Sequence, residues 1–192
     1  MSGTAEVHPD ATLVPTKLEL LASWLPTQPW FAGDAADLRR VASYRFADPD
    51  GEVGLDTLLV ASKGSVYQVP ITWRSAPLAE GELIGTTEHS ALGTRYGYDA
   101  TTDPVYVVEL VRIIREGDTA ADVVASGSGE GVRKSIEVFG TGVTPGVDVA
   151  GQVRLIRVLD EEHEDHHAAR GMLLGRWTLE GVEREDVLAV LR

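Results

Sequence analysis

The chain has 192 residues, and its 30 acidic and 17 basic residues give it a formal net charge of −13. A surface with this much negative charge repels phosphate backbones and anionic lipids. We therefore expect neither nucleic acid nor a membrane as a partner. The absence of cysteine excludes disulfides, thiolate-bound metals and thiol nucleophiles, and we expect no cofactor. No apolar run approaches the roughly 20 residues of a membrane span, and the first residues lack a signal-peptide pattern, so we expect a cytoplasmic protein.

A short helix is the first element predicted. Thr16 is a suitable N-cap, and Pro26 ends the apolar run that follows it. The apolar residues that recur at helical spacing are Leu18, Leu21, Ala22 and Leu25. We predict a flexible N-terminal arm over residues 1–15 and a single domain over residues 16–192.

Five β-strands are predicted after this helix. Turn signals at residues 49–51 and 63–64 separate the first three strands, which read as an antiparallel meander. The predicted strands span residues 39–48, 53–62, 65–75, 81–89 and 92–100. Pro70 lies inside the third strand and indicates an edge or a bulge there, because proline cannot donate to the ladder.

A second helix is predicted over residues 104–117, from the N-cap Asp103 to the terminator Gly117. Its β-branched content also permits a strand. Further strands are predicted over residues 132–140, 152–160 and 169–181, and a terminal helix over residues 183–192. The predicted fold class is α+β, a curved antiparallel sheet with one or two packed helices.

Three segments of the sequence are distinctive when taken in order: WLPTQPWFAG (24–33), VYQVPITW (66–73) and GYDATTDPVYVVELVRII (97–114). In their order and spacing they resemble the N-terminal cap domain of actinobacterial maltokinases. The resemblance covers about residues 18–160. It implies a cystatin-like cap fold, a strongly bent sheet with a helix in its concavity, and a setting in maltose, trehalose and glycogen metabolism. Pro29 departs from the family, which usually has arginine there.

The resemblance does not imply kinase activity. In the family the cap leads into a segment that opens the ATP-binding lobe, whereas this chain continues as LDEEHEDHHAARG (159–171). The sequence contains no catalytic-loop aspartate, magnesium-binding aspartate motif or ATP-contacting lysine of the kinase pattern. We therefore interpret the chain as a freestanding, non-catalytic binding or regulatory module.

Its expected partner is a glucan- or trehalose-metabolising enzyme or a sugar. Exposed strand edges also make a homodimer an expectation. The alternative function is a small carbohydrate-active enzyme that uses carboxylates in the sheet concavity.

The candidate ligand-binding residues are Gln28, Trp30, Tyr67, Tyr98 and Asp99. Aromatic faces such as these stack on sugar rings, but a structural role explains them as well. In that interpretation Trp30 belongs to a hydrophobic cluster that anchors the first helix to the sheet. Asp99 and Asp103 then cap turns instead of forming a pair for acid–base catalysis.

A second motif, His163-Glu164-Asp165-His166-His167, satisfies the H-E-x-x-H pattern of zinc peptidases. Such a site needs a packed helix and a third ligand. Here the neighbours are charged, and no pattern selects Glu183 or Glu185 as that ligand. We interpret the match as chance in a solvated acidic loop and assign no metal site. Weak metal binding by His163 and His167 is the alternative.

Overall fold

The structure, a computed structural model, describes residues 3–144, 152–159 and 169–192. The α-helices within these residues are α1 (Lys17–Trp24) and α2 (Pro104–Glu116). The β-strands are β1 (Thr4–Val7), β2 (Leu13–Val14), β3 (Arg39–Phe46), β4 (Gly54–Ser62), β5 (Ser65–Arg74), β6 (Leu83–His89), β7 (Gly93–Asp99), β8 (Asp122–Ala125), β9 (Ile136–Gly140), β10 (Val153–Leu155), β11 (Gly171–Leu179) and β12 (Val182–Leu191).

Six strands form a curled antiparallel sheet in the order β2-β6-β7-β5-β4-β3. All five strands predicted between residues 39 and 100 are present in it. The β4–β5 hairpin closes at Lys63 and Gly64, which both have positive φ, and Ser62 pairs with Ser65 directly beyond them. The turn signal in the sequence therefore fixes the register of this hairpin.

Pro70 shows how β5 exchanges neighbours along its length. On one side β5 pairs with β4 throughout, and Pro70 lies opposite Thr57. On its other side the pairing with β7 begins only at Ile71, while Tyr67 forms a bridge with Val158. Pro70 falls between these two partners, so its missing N–H costs no ladder hydrogen bond.

A second antiparallel sheet has the order β10-β12-β11-β9. The terminal helix predicted over residues 183–192 is wrong, because β12 occupies this segment. Glu180 and Gly181 both have positive φ and form a two-residue turn that pairs β11 with β12. Ladder hydrogen bonds and burial of the four apolar residues 188–191 outweigh the weak helical periodicity.

The predicted strands 132–140 and 152–160 are shorter in the structure, at β9 and β10. Residues 1–15, predicted as a flexible arm, include two paired strands. Here β1 runs parallel to β8, and β2 pairs antiparallel with β6.

Two hydrophobic cores cover the two faces of the six-stranded sheet. On one face α2, through residues such as Leu110, and the four-stranded sheet pack against Tyr44, Leu59 and their neighbours. On the other face α1 and the segment after it pack against Leu58, Val69 and their neighbours. Strands β4 and β5 are therefore buried on both faces, which explains their nearly continuous apolar sequences.

Gln68 joins the two sheets through a buried polar contact. Its side-chain amide nitrogen donates to the backbone carbonyls of Ile156 and Leu188, both at 2.8 Å. Its amide oxygen accepts from the Tyr44 hydroxyl at 2.8 Å. Because Gln68 is fully buried, each of these hydrogen bonds satisfies a group that would otherwise be costly to desolvate.

Both helices begin at the predicted caps. Thr16 and Glu19 form a capping box at α1. At α2 the Asp103 carboxylate accepts from the Val105 N–H, and Gly117 ends the helix in the left-handed region at φ 66°. Neither helix of the described residues has the length and apolar character needed to cross a membrane.

Candidate functional site

The aromatic segment after α1 lies on the sheet over Tyr67. Pro26 turns the chain at the end of the helix, and this turn sets Trp30 and Phe31 down beside β5. The ring centroids of Phe31 and Tyr67 are 4.8 Å apart, and those of Trp24 and Trp30 are 5.9 Å apart with an edge-to-face geometry. Both separations are typical of favourable aromatic packing.

Arg157 connects Trp30 to Asp99. Its guanidinium carbon lies 4.9 Å from the centroid of the Trp30 ring, which is a cation–π contact. One terminal nitrogen of Arg157 donates to the Asp99 carboxylate and, at 3.1 Å, to the Thr101 hydroxyl. The backbone carbonyl of Arg157 accepts from the Gln68 N–H, so this arginine is held by its main chain as well.

Glu82, on the loop before β6, accepts hydrogen bonds from two further side chains of this region. Its Oε1 accepts from the Trp24 indole N–H at 3.0 Å and from the Gln28 side-chain amide at 2.9 Å. We name this set of residues the Trp30 cluster: Trp24, Gln28, Trp30, Tyr67, Glu82, Asp99 and Arg157.

Four of the five predicted ligand-binding residues fall within the Trp30 cluster, and Tyr98 does not. Tyr98 pairs with Thr72, whereas Asp99 pairs with Ile71, so the two neighbours point to opposite faces of the sheet. The Tyr98 hydroxyl accepts from the backbone N–H of Leu78 at 2.8 Å. This contact ties the β5–β6 connection to β7.

The contacts of the cluster bear on what it can bind. Arg157 covers one face of Trp30, and Trp24 and Tyr67 lie against other parts of its ring. Gln28 is partly exposed and Glu82 is exposed. The accessible part of the cluster therefore offers an amide and a carboxylate more readily than a bare aromatic face.

The two aspartates before α2 act as caps. Asp99 accepts from the Thr101 N–H at 3.1 Å, and Asp103 accepts from the Val105 N–H at 3.1 Å. Asp103 also receives two hydrogen bonds from Arg74, at 2.7 and 2.8 Å. Burial alone would raise the pKa of Asp103, but the hydrogen bonds from Arg74 dominate together with other donors and lower it.

A cavity of about 950 Å³ forms a second concave feature, the β3 groove, along β3 and the ends of neighbouring strands. Asp56 of β4 lies in it, opposite Arg45 in the β3–β4 register. Lys17 from the first turn of α1 forms an ion pair with the Asp56 carboxylate, and Arg45 Nε lies 3.5 Å from it. Burial would raise the pKa of Asp56, but Arg45 and Lys17 overcome this effect and lower the pKa to about 2.

The histidines of the H-E-x-x-H motif lie outside the described residues. Of the two suggested third ligands, Glu185 forms an ion pair with Arg176. Among the residues that the structure does describe, no group of three potential ligands is arranged to hold a metal ion.

Several residues of these sites were not singled out from the sequence. The sequence could have predicted the Asp56–Arg45 pair. An aspartate interrupts an otherwise apolar strand, and Arg45 lies symmetrically across the predicted turn at residues 49–51. No sequence pattern predicts the role of Arg157, because its contact with Trp30 joins positions 127 residues apart in the chain.

The fold and these sites define an α+β protein with a curled antiparallel sheet and two short helices, as predicted. The family model of the maltokinase N-terminal cap domain matches residues 24–103. This match confirms the resemblance stated from the sequence, and it spans the aromatic segment after α1 and strands β3 to β7. No solved structure matches the chain.

Proposed function

We propose that this protein is a non-catalytic binding or regulatory module of maltose, trehalose or α-glucan metabolism. The observation that carries the proposal is the match of residues 24–103 to the maltokinase N-terminal cap domain. The matched region includes Trp24, Gln28, Trp30 and Glu82, which lie together in the Trp30 cluster. We infer that its partner is an enzyme of this metabolism or a sugar.

The state of the buried carboxylates supports a role without catalysis. Asp56, Asp99, Asp103 and Glu109 are buried, and each pairs with an arginine or a lysine. A glycosidase needs a carboxyl group with a raised pKa beside a second, ionised one. The pKa values of Asp56 and Asp103 are instead lowered, so neither suits the role of general acid.

The C-terminal hairpin also favours a module over a kinase fragment. In the related kinases the chain after the cap opens the ATP-binding lobe. Here β11 and β12 contribute Leu173, Trp177 and Leu188 to the core that covers the six-stranded sheet. This segment thus serves the packing of the cap itself.

The exposed side of the Trp30 cluster is the surface we assign to the partner. Gln28 and Glu82 offer a donor and acceptors there. Such polar groups suit the rim of a protein interface as well as sugar hydroxyls. Calorimetry is therefore needed to distinguish a sugar from an enzyme as the partner.

The test combines affinity capture and calorimetry. The tagged protein is used to capture partners from its source cells, and captured proteins are identified by mass spectrometry. In parallel, maltose, trehalose and glycogen are titrated into the purified protein. We expect either an enzyme that acts on maltose, trehalose or α-glucan, or saturable binding of one of the sugars.

Two variants locate the contact. Gln28→Arg should abolish capture of the enzyme, because it removes the amide and places a charge on the assigned surface. Gln152→Arg is the matched control, since Gln152 is an exposed glutamine just before β10 and does not belong to the Trp30 cluster. Capture of no such enzyme together with no sugar binding would contradict the proposal, as would equal loss in both variants.

A further inference from the structure

A strap of chain runs between two anchored elements at one end of the six-stranded sheet. The strap consists of residues 8–14, after β1 and before the N-cap of α1. Its first neighbour, β1, is anchored by parallel pairing with β8, and α1 is anchored by its buried residues on the sheet. The strap can therefore detach while the elements at both of its ends stay in place.

Few contacts hold the strap. Leu13 and Val14 pair with the end of β6, and the backbone of Thr12 forms two hydrogen bonds with Ser90, both at 3.0 Å. No residue of the strap is buried, and Val14 is 69% exposed. A segment with so little apolar burial opens at a low cost in free energy, so a change at one or two contacts is enough to release it.

A pair of histidines joins the strap to the sheet. His8 begins the strap, and His89 is the last residue of β6, directly opposite Leu13 in the ladder. The two imidazole rings meet edge to face, with their centroids 5.4 Å apart. Such a contact is favourable between neutral rings. As the pH falls and both rings take up protons, two positive charges at this distance repel each other.

The other charged groups that act on His89 are also basic. They are Arg95 of β7 and Lys17 of α1, which join His8 of the strap around the imidazole. Among the residues that the structure describes, no carboxylate oxygen lies within 4.0 Å of a nitrogen of either histidine. A protonated His89 thus meets positive charge from three different elements and has no ion-pair partner in the described part of the chain.

The carboxylates of the surrounding elements are engaged elsewhere or exposed. Glu88 of β6 accepts from the Thr94 hydroxyl at 2.7 Å. The Asp56 carboxylate of β4 already takes part in two ion pairs. Glu6 and Asp10, on the N-terminal arm, are exposed, where water screens their charges.

The neutral form of His89 also supports the turn to which the strap is bonded. Its Nδ1 accepts from the backbone N–H of Ala91 at 3.2 Å. Both nitrogens of an imidazolium carry protons, so a charged His89 cannot accept this hydrogen bond. Because Ala91 directly follows Ser90, the partner of Thr12, loss of the acceptor loosens the turn that holds the strap.

The protonation of His89 and the position of the strap are therefore linked. Burial, and then the charges of His8, Arg95 and Lys17, lower the pKa of His89 below its ordinary value of 6.5. Detachment of the strap removes His8 and reduces the burial, so the detached state binds the proton more readily. The attached state is fully favoured above pH 6.5, and this preference is lost progressively as the pH falls below that value.

We propose that the strap responds to pH: it stays attached while His8 and His89 are neutral, and it is released when they take up protons. His8, Leu13, His89 and Leu92 all line the same end of the β3 groove. Release therefore opens the groove at this end and leaves the ladder of the six-stranded sheet beyond β2 intact.

Nuclear magnetic resonance on the full chain at about pH 7.5 and about pH 5 tests this proposal. The Cε1 proton of His89 reports its protonation, and amide relaxation reports the order of residues 11–14. We expect the order parameters of these amides to fall from about 0.85 to below about 0.6 as His89 is protonated, whereas those of β5 stay near 0.85. A strap that stays ordered when His89 is fully protonated would overturn the proposal.

The variant His89→Gln separates protonation from packing. Glutamine stays neutral, and its amide oxygen can accept from the Ala91 N–H, so the strap should remain ordered at both pH values. The matched control is His163→Gln/His166→Gln/His167→Gln, which removes the other three histidines of the chain and should release its strap as the unchanged protein does. Release in His89→Gln, or loss of release in the triple variant, would show that His89 is not the sensor.

The variant Arg95→Gln provides a second test, in which His89 itself is unchanged. Removing this cation makes protonation of His89 easier, so the midpoint of release should move to a higher pH. Arg39→Gln is the control, because Arg39 lies in the strand at the opposite edge of the sheet from β2 and pairs with the exposed Glu180. Equal midpoints for the two variants would contradict the proposal, and thermal unfolding checks that each variant is folded.

Discussion

At the scale of single residues, Asp56 shows how a charge is accommodated inside an apolar strand. Its carboxylate is 3% exposed and lies in a strand whose neighbours are nearly all apolar. An ionised group at such a position costs several kcal/mol unless it is paired. Lys17 and Arg45 provide the pairing from α1 and β3, so one aspartate links a helix, its own strand and the edge of the sheet.

Replacing Asp56 with asparagine should lower the free energy of unfolding by about 2 kcal/mol at pH 7, since the folded pKa of about 2 lies below the ordinary value of 3.8. A lowered pKa contributes stability above pH 4, and this contribution disappears as the pH falls through 4 towards 2. Urea unfolding at pH 7 and pH 3 checks both the size and the sign.

Asp50→Asn is the control for this experiment, because Asp50 is exposed in the β3–β4 turn. It should change the unfolding free energy by less than about 0.5 kcal/mol at either pH. If Asp56→Asn destabilised the protein equally at pH 7 and pH 3, ionisation of Asp56 would not be the source of its contribution.

At the scale of elements, the start of α2 combines a cap with an ion pair. Asp103 is fully buried, caps the helix and receives two hydrogen bonds from Arg74. Asp103→Ala should therefore destabilise the protein by about 3 kcal/mol, because it removes the cap and leaves the Arg74 charge partly buried without its partner.

Asp34→Ala provides the comparison for Asp103, since Asp34 caps an exposed turn of 3₁₀-helix and its ion pair with Lys63, at 3.8 Å, joins two exposed side chains. Its loss should cost about 0.5–1 kcal/mol. Thermal unfolding of both variants gives the two values. A cost for Asp103→Ala as small as that for Asp34→Ala would show that Arg74 finds another partner.

The β11–β12 turn offers a stabilising change. Glu180 has a φ of 51°, and the following Gly181 has a φ of 85°. Asparagine tolerates this left-handed region better than glutamate, and Asn-Gly is favoured in such hairpins. Glu180→Asn should raise the free energy of unfolding by about 0.5 kcal/mol in urea titrations. Thr178→Asn, within the strand, should not stabilise the protein. Glu180 also forms an exposed ion pair with Arg39 at 2.8 Å, and a lower free energy of unfolding for Glu180→Asn would show that this pair matters more than the turn.

The elements that the sequence predicted well are those defined by local signals. The caps at Thr16 and Asp103 bound both helices, and the turn at residues 63–64 set a hairpin register. The terminal segment failed for a physical reason. Its apolar residues 187, 188 and 191 fit one face of a helix. The segment is nevertheless a strand, because it pairs with β11, and no local pattern in the sequence encodes that pairing.

At the scale of the whole molecule, packing between the sheets cannot be predicted from local sequence patterns. Arg157 completes the Trp30 cluster, and β11 and β12 complete the core on the α2 face, although all three are distant in sequence from the residues they contact. Four of the five predicted site residues lie together because Tyr67 and Asp99 are on the face of the sheet that α1 covers, and the segment after α1 brings Gln28 and Trp30 onto that face. The homodimer expected from exposed strand edges stays a prediction. Part of the β3 edge is covered by hydrogen bonds between the Ser135 side chain and the backbone of Ser43.

A close backbone approach joins α2 to the four-stranded sheet. A Cβ atom on Gly140 would lie 2.1 Å from the carbonyl oxygen of Ile113. Gly140→Ala should consequently destabilise the protein by about 3 kcal/mol, because backbone must move to relieve the clash. Gly131→Ala is the matched control, as nothing lies within 4 Å of its Cβ position. Equal melting temperatures for the two variants would show that α2 can shift freely.

The contact of Gln68 with both sheets bears on where an autonomous folding unit can be cut. A fragment restricted to the family-matched residues 24–103 would retain Gln68 but lose its acceptors on Ile156 and Leu188. It would also expose the face of β3 and β4 that carries Tyr44 and Leu59. The region of sequence similarity is therefore smaller than the unit that unfolds cooperatively. We expect the amide protons of β5 and β12 to exchange with solvent through one common opening event.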